Sequence, residues 1–164
     1  MALMQQSSTH VTENDSPLKT TGIIKAISIS KRKGIPKSNI ESVRLIENFG
    51  LEGDAHGGNW HRQVSLLAME SIDKMRSTGL IKLRPGAFAE NITTETIDIP
   101  LLKVGTVIQI GDTAQLEITQ IGKECHSKCA IYNTVGDCVM PREGIFAKVT
   151  KGGLIKIEDE IKIL

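Results

Sequence analysis

From Val107 to Leu164 the chain is a succession of short apolar runs broken by two-residue turn signals. Val107-Ile108-Gln109-Ile110 is followed by Gly111-Asp112, then by Leu116-Glu117-Ile118-Thr119. Ile145 to Val149 is followed by Gly152-Gly153 and by Leu154 to Ile157, and Ile161 to Leu164 ends the chain. β-Branched residues at a period of two, punctuated by Gly-Asp and Gly-Gly, specify half-buried strands joined by tight turns. The first two runs read as a hairpin, the next two as another, and the last as a closing strand. Strands this short at this spacing favour a mostly β fold, a closed or partly open barrel, over a doubly wound sheet.

The first half carries the same signal less regularly. Ile23 to Ile29 reads as a strand, Lys31 to Lys37 as a basic loop, and Val43, Leu45 and Ile46 as a second strand. Asn48 to Arg62, with Gly50, Gly53, Gly57 and Gly58, reads as a long loop, which is uncommon inside a compact domain unless it does something. Val64 to Leu67 is a short buried strand. Met69, Ile72 and Met75 recur at helical spacing, so Ala68 to Thr78 reads as one amphipathic helix stopped by Gly79. No βαβ rhythm and no internal repeat are visible. Residues 1–21 are rich in Ser, Thr, Asn and Gln and are expected to be a disordered tail before one domain at 22–164.

Composition removes several classes of function. A net charge of +1 and 3% aromatic residues supply neither the basic field nor the stacking platforms of a nucleic-acid binder. No apolar run approaches the roughly 20 residues that cross a bilayer, and the N-terminus lacks a signal-peptide core. Neither GxGxxG nor GxxxxGK[ST] occurs. The expected setting is the reducing cytoplasm, where three cysteines point to metal, redox or nucleophilic use rather than to a disulfide framework.

Chemistry concentrates in a few segments. Gly53 to Gln63 packs Asp54, His56, His61, Arg62 and the only tryptophan into a glycine-rich loop. Backbone N–H groups there can approach an anion, and Arg62 can hold phosphate or carboxylate. Arg84 to Thr94 reads as a turn and an extended segment in which Asn91, Thr93 and Thr94 could bond a heterocycle's edge. Gly122 to Ile131 holds Cys125 and Cys129 among Lys123, His126 and Lys128, and the chain continues to Cys138. Positive charge favours thiolate, the form that attacks and binds metal. The spacing of Cys125 and Cys129 also suits zinc, with His126 and Cys138 as further ligands, although a structural zinc site usually pairs two such knuckles. Met140 to Val149 adds Arg142, a possible second cation at the same pocket. Each segment has a plainer alternative: an ordinary polar turn with Asp54 capping it, a surface arginine paired with Glu143, or a buried inert Cys138.

Read in order, GLEGDAHGG-HRQVSLL, PGAFAENITT, LLKVGTVIQIG, LEITQIGKECHSKCAI, MPREGIFAKV and GGLIKIEDEIKI resemble a MOSC domain, the module named for the C-terminal part of molybdenum cofactor sulfurases. The resemblance covers about residues 22–164 and is greatest to the short stand-alone bacterial type. It implies a β-barrel with a few short helices. It implies binding of a molybdopterin-type cofactor, transport of sulfur as a cysteine persulfide for assembly of a metal–sulfur centre, or both. Cys129, just before Ala130-Ile131, matches the family's reactive cysteine and would be the molybdenum ligand, with Cys125 second. His56, His61, Arg62, Asn91, Thr93, Lys128 and Arg142 fall in the matching motifs and would hold the cofactor's phosphate and pterin, or favour a persulfide anion.

The resemblance also sets what the chain would need. With 164 residues it has no room for the pyridoxal-phosphate desulfurase domain of full-length sulfurases. Pyridoxal phosphate would then sit on a separate donor, a cysteine desulfurase, and the other partners would be a molybdoenzyme or a cofactor-biosynthesis protein. The activity implied is sulfur transfer or a molybdenum-cofactor-dependent reaction. The competing reading is a non-catalytic barrel that binds zinc or a partner. An oxidoreductase acting on N-hydroxylated substrates is weaker, because those relatives carry an additional N-terminal domain. The chain departs from the family in its last turn, where Glu158-Asp159 stands for the frequent Gly-Asp.

Overall fold

Ala114, Leu116 and Ile118 are buried while their neighbours along the strand are half-exposed, the signature of a strand with one wet face. The computed structural model describes residues 16–77, 83–123 and 138–164. Its strands are β1 (Thr21–Ile29), β2 (Ser38–Ile40), β3 (Ser42–Ile46), β4 (Gly50–Leu51), β5 (Val64–Ala68), β6 (Ile92–Glu95), β7 (Val107–Ile110), β8 (Ala114–Ile121), β9 (Ile145–Lys151), β10 (Gly153–Lys156) and β11 (Glu160–Ile163). The helices are α1 (Met69–Arg76) and α2 (Met140–Glu143), with a 3₁₀ turn at Ile99–Leu101. No helix among the described residues is long and apolar enough to cross a membrane.

Seven strands close into a barrel in the order β1-β11-β7-β8-β9-β5-β6 and back to β1. Closure leaves the barrel no open edge. β2 extends the wall beside the far end of β1, and β10, β3 and β4 form a separate small sheet. The interior is aliphatic: Ile24, Ile27, Leu66, Ile92, Ile108, Ile110, Leu116, Ile118, Val149 and Ile161 are all fully buried there. The irregular alternation of the first strand has a local cause. A bulge between Ile24 and Ala26 lets Ile24 and Ile27, three residues apart, both reach the core.

The fold departs from the sequence reading in particular places. β7 and β8 form the expected hairpin. β9 and β10 do not: β9 pairs with β5 and β8, whereas β10 pairs with β3. The Gly152-Gly153 pair is a corner between sheets rather than a hairpin turn. A Cβ on Gly152 would lie 2.7 Å from the Leu45 carbonyl oxygen, and one on Gly153 would lie 2.6 Å from Thr113 Oγ1. β5 and β6 are parallel and are joined through α1, so one βαβ unit exists where no rhythm was visible; a single unit makes no repeat. β4 lies inside the stretch read as a continuous loop. Thr21, assigned to the tail by composition, opens β1, and the Lys19 backbone exchanges hydrogen bonds with Asp98. Residues 1–15 lie outside the described part. Glu158, in the turn where the family often has glycine, adopts φ +74°.

β5 is buried along its whole length because both its faces are covered. Val64 and Leu66 face the barrel, whereas Leu67 joins a second apolar cluster outside it. Met69, Ile72 and Met75 of α1 pack there with Leu83, Phe88, Val139, Met140 and Phe146, as the helical spacing predicts. Cys138 is buried in the same cluster. This second layer carries the cleft described next.

Candidate functional site

Asp54 is the keystone of one rim of the barrel. It is buried, and its Oδ1 accepts from the Ser30 backbone N–H at 3.0 Å and from Lys37 Nζ at 2.9 Å. Its Oδ2 accepts from Asn91 Nδ2 at 3.1 Å. Burial pushes the Asp54 carboxyl up, but the Ser30 N–H, Lys37 and Asn91 together outweigh it and hold the group below the ordinary aspartate range. One carboxylate thus ties the end of β1, the basic loop and the start of β6 to the glycine-rich loop. Lys37 is as buried as its partner.

The imidazole of His56 stands against this pair, with Nδ1 3.3 Å from Lys37 Nζ. An ammonium can only donate, so Nδ1 accepts and the ring proton sits on Nε2. Burial lowers the His56 pKa below the ordinary histidine value. Lys37, Lys33 and Lys123 lower it further, against the opposing pull of Asp54. His56 is therefore neutral at pH 7 and a donor at Nε2.

A cleft of about 90 Å³ opens between these elements. Lys37, His56, Arg62 and Lys123 bring its polar groups, and Trp60 and Phe146 its aromatic walls; no carboxylate lines it among the described residues. Arg62 enters from the end of the glycine-rich loop. Its guanidinium carbon lies 4.8 Å from the Trp60 ring centroid and 5.6 Å from that of Phe146. Two aromatic faces hold it by cation–π attraction, and its buried Nε has no hydrogen-bond partner. A buried N–H donor without an acceptor costs about 1–3 kcal/mol. Arg62 is therefore a cation held in place with a donor to offer.

The PGAFAEN turn supplies another wall through Phe88 and Ala89. Glu90 shapes it from beneath, accepting from the Gly86 and Phe88 N–H groups and from Thr93 Oγ1. Burial holds the Glu90 carboxyl above the ordinary glutamate value despite these donors. Ala89 sits at φ +64°, a left-handed conformation unusual for a residue with a side chain, here at the cleft wall.

The residues picked from sequence separate in space. His56, Arg62 and Asn91 line the cleft. Asn91 is committed internally: Nδ2 donates to Ser28 O and Asp54, and Oδ1 accepts from the backbone N–H and hydroxyl of Ser65. All four positions of its amide are occupied, so it braces the cleft rather than offering an edge to a ligand. Thr93 is likewise buried and bonded to Glu90. His61 points to Gln120 on β8 at 2.9 Å and is exposed. Arg142 lies on α2, whose first residue, Met140, reaches the cleft. Cys125, Lys128 and Cys129, with His126, lie outside the described residues. Before them, the described chain ends at Lys123, which lines the cleft; after them it resumes at Cys138, buried in the second apolar cluster two residues before the lining residue Met140. Gly122 N–H donates to Gly144 O at 2.6 Å, and a Cβ on Gly122 would lie 2.2 Å from Pro141 O, so the two ends are clamped together.

Sequence reasoning missed Lys37, Phe88 and Phe146. Lys37 reads as one more cation of an exposed basic loop, and no local pattern marks a lysine whose partner lies seventeen positions away. The phenylalanines lie in segments singled out for their polar residues, and neither drew a role of its own. Among the described residues, no group of three or more His, Cys, Asp or Glu side chains is placed to hold a metal ion.

Comparison with known proteins agrees with this architecture. The YuaD protein of Bacillus subtilis superposes with a TM-score of 0.74 at 19% identity, covering 88% of this chain and 96% of that one. YiiM of Geobacillus stearothermophilus gives 0.65 at 16% identity, over 87% of this chain and 75% of that one. YiiM of Escherichia coli gives 0.62 at 15% identity, over 87% and 69%. At such identities the likeness is one of fold. No curated protein matches the sequence. A sequence model of the MOSC domain matches residues 52–162, a span that runs from the glycine-rich loop through the cleft to the last barrel strand, and the chain belongs to the MOSC domain family.

Proposed function

We propose that the protein holds a molybdopterin-type cofactor by its phosphate in the cleft at Arg62, with the thiol of Cys129 as the ligand for metal or sulfur. The family is associated with molybdenum cofactor sulfurase, which sets the class of ligand. The observation that carries the reading is Arg62 itself: a cation clamped between two aromatic rings, its buried Nε–H unpartnered, in a cleft without a carboxylate among the described residues. A phosphate oxygen satisfies that donor, and Lys123 and neutral His56 add donors around it. The fit is to the anionic end. Asn91 and Thr93, the groups expected to read the pterin edge, are used within the protein.

Cys125 and Cys129 follow the lining residue Lys123 by two and six positions. That closeness in sequence to a cleft residue is what supports a thiol serving the same ligand, and Lys123 and Lys128 would favour its anion. The bound cofactor would supply the metal and its sulfur chemistry. The chain's own residues orient the phosphate, exclude water behind Trp60 and Phe146, and supply the thiolate. A cysteine desulfurase on another chain would be the source of sulfur, and a molybdoenzyme or a cofactor-biosynthesis protein the recipient.

The test is purification from a molybdenum-competent host with molybdenum, zinc and oxidised pterin measured per chain. We expect bound pterin and molybdenum, loss of both in Arg62→Ala, and loss of molybdenum with retention of pterin in Cys129→Ala. Cyanide-labile sulfur on Cys129 without pterin would make the protein a sulfur carrier. Zinc without either would favour the non-catalytic metal-binding barrel.

A further inference from the structure

A second cavity lies directly outside the cleft. It is a groove of about 280 Å³ lined by Lys33, His56, Gly57, Gly58, Asn59 and Trp60. His56 and Trp60 line both cavities, so cleft and groove adjoin at these two residues. The junction is held in place: Trp60 Nε1 donates to the His56 carbonyl at 3.1 Å, and Lys37 Nζ donates to His56 Nδ1 at 3.3 Å. Arg62 lines the cleft and not the groove, so the cation covering the Trp60 ring does so from the cleft side. Even so, the tryptophan remains 40% exposed.

Gly57 and Gly58 put backbone rather than side chains on part of the groove wall. Gly57 is required on its other side, where a Cβ would lie 2.5 Å from the Phe49 ring. Gly58 follows at once, its N–H tied to Phe49 O. No carboxylate lines the groove among the described residues, and Lys33, at the end of the Lys31-Arg32-Lys33 run, stands at its mouth. An exposed indole face, a glycine floor and a lysine together suit a flat heteroaromatic ring that carries negative charge.

We propose that cleft and groove form one elongated site for a nucleoside diphosphate or an ester of one: a phosphate at Arg62, the second phosphate toward Lys33, and the base against Trp60. This inference rests on the anion-binding reading of the cleft and extends its ligand from a monophosphate to a diphosphate bearing a base. The site is built without either glycine fingerprint of the common nucleotide folds.

Trp60 is the only tryptophan in the chain, so its fluorescence reports this site alone. The experiment titrates the full-length protein with ADP, GDP, inorganic pyrophosphate and inorganic phosphate, followed by indole emission and by calorimetry. A nucleoside diphosphate is expected to quench the emission and to bind about ten-fold or more tighter than pyrophosphate, the scale of one base–aromatic stack. Lys33→Ala, an exposed substitution, is expected to weaken ADP and GDP several-fold and leave inorganic phosphate unchanged, whereas Arg62→Ala weakens all four. Trp60→Phe, which keeps a ring, should retain part of the base-dependent gain by calorimetry, and Trp60→Leu should lose it. If phosphate binds through Arg62 but the base adds neither affinity nor quenching, the groove inference is wrong and the cleft reading stands. If inorganic phosphate also fails to bind, both fall.

Discussion

The barrel interior and the rim that carries the cleft are both buried, yet they are held by opposite means. The interior is aliphatic, with Ile108, Ile110, Leu116, Ile118 and Val149 fully enclosed and no polar side chain required. At the rim, Lys37, Asp54, Asn91 and Ser65 are buried together and linked by hydrogen bonds, and the buried Glu90 beside them is satisfied by the Gly86 and Phe88 N–H groups and by Thr93. Apolar packing responds to volume, because dispersion and the hydrophobic effect have no direction. A buried polar network responds to charge and hydrogen-bond count, because one missing partner leaves a desolvated group exposed to its full penalty. The interior should therefore tolerate a change of shape at constant volume, and the rim should not tolerate a change of charge at constant shape.

Asp54→Asn breaks that contrast hardest. It keeps the shape but leaves the Lys37 ammonium buried without its counter-charge, a loss of about 3–5 kcal/mol. Urea denaturation should show it as a lowered midpoint. The same variant tests the acid limb. Because the folded pKa of Asp54 lies below the unfolded one, its contribution is complete above the unfolded value and disappears as pH falls through the folded value. Glu90 runs the other way: its raised folded pKa gives a contribution present below the ordinary glutamate value and lost as pH rises through the folded one. Wild-type stability should thus fall more steeply than that of Asp54→Asn below the ordinary aspartate range, in denaturation curves taken across acidic pH.

Ile118→Ala, in the barrel, removes volume instead of charge and should cost about 2–5 kcal/mol in the same assay, with no change in the acid limb. Arg62→Ala separates binding from stability. The substitution loses the cation–π contacts with Trp60 and Phe146 but also removes a buried unpaired N–H, and these opposing effects should leave thermal unfolding little changed, while phosphate affinity measured by calorimetry drops by about 1.5–3 kcal/mol, the range for a bond to a charged group. Leu116→Met should matter least, under about 1.5 kcal/mol, since it conserves volume in a barrel that asks only for volume. A large loss in Leu116→Met together with a small one in Asp54→Asn would reverse the comparison.

Most of the barrel could be read from local sequence, because a strand with one wet face must alternate and a tight turn must carry glycine or aspartate. The β7–β8 hairpin and the helix through Met69, Ile72 and Met75 were legible for that reason. The MOSC relationship could be read as well, since motif order survives where no single motif is decisive. Gly152-Gly153 was not legible as a corner: the same dipeptide serves a hairpin or a change of sheet, and only the proximity of Leu45 and Thr113 distinguishes them. Arg62 and His56 were visible as candidates in a glycine-rich loop. Asn91 was visible too, but its role depended on where Ser28, Ser65 and Asp54 lie around it.

The sequence by itself therefore determined the strand periodicity, the family and which segments hold the chemistry, because these depend on neighbours along the chain. The tertiary structure decided that Lys37 is buried against Asp54, that Arg62 lies between Trp60 and Phe146 with a donor unpaired, and that Trp60 lines both a cleft and the groove adjoining it. Those are relations between residues distant in sequence. Desolvation and cation–π attraction act through space, so no local pattern records them.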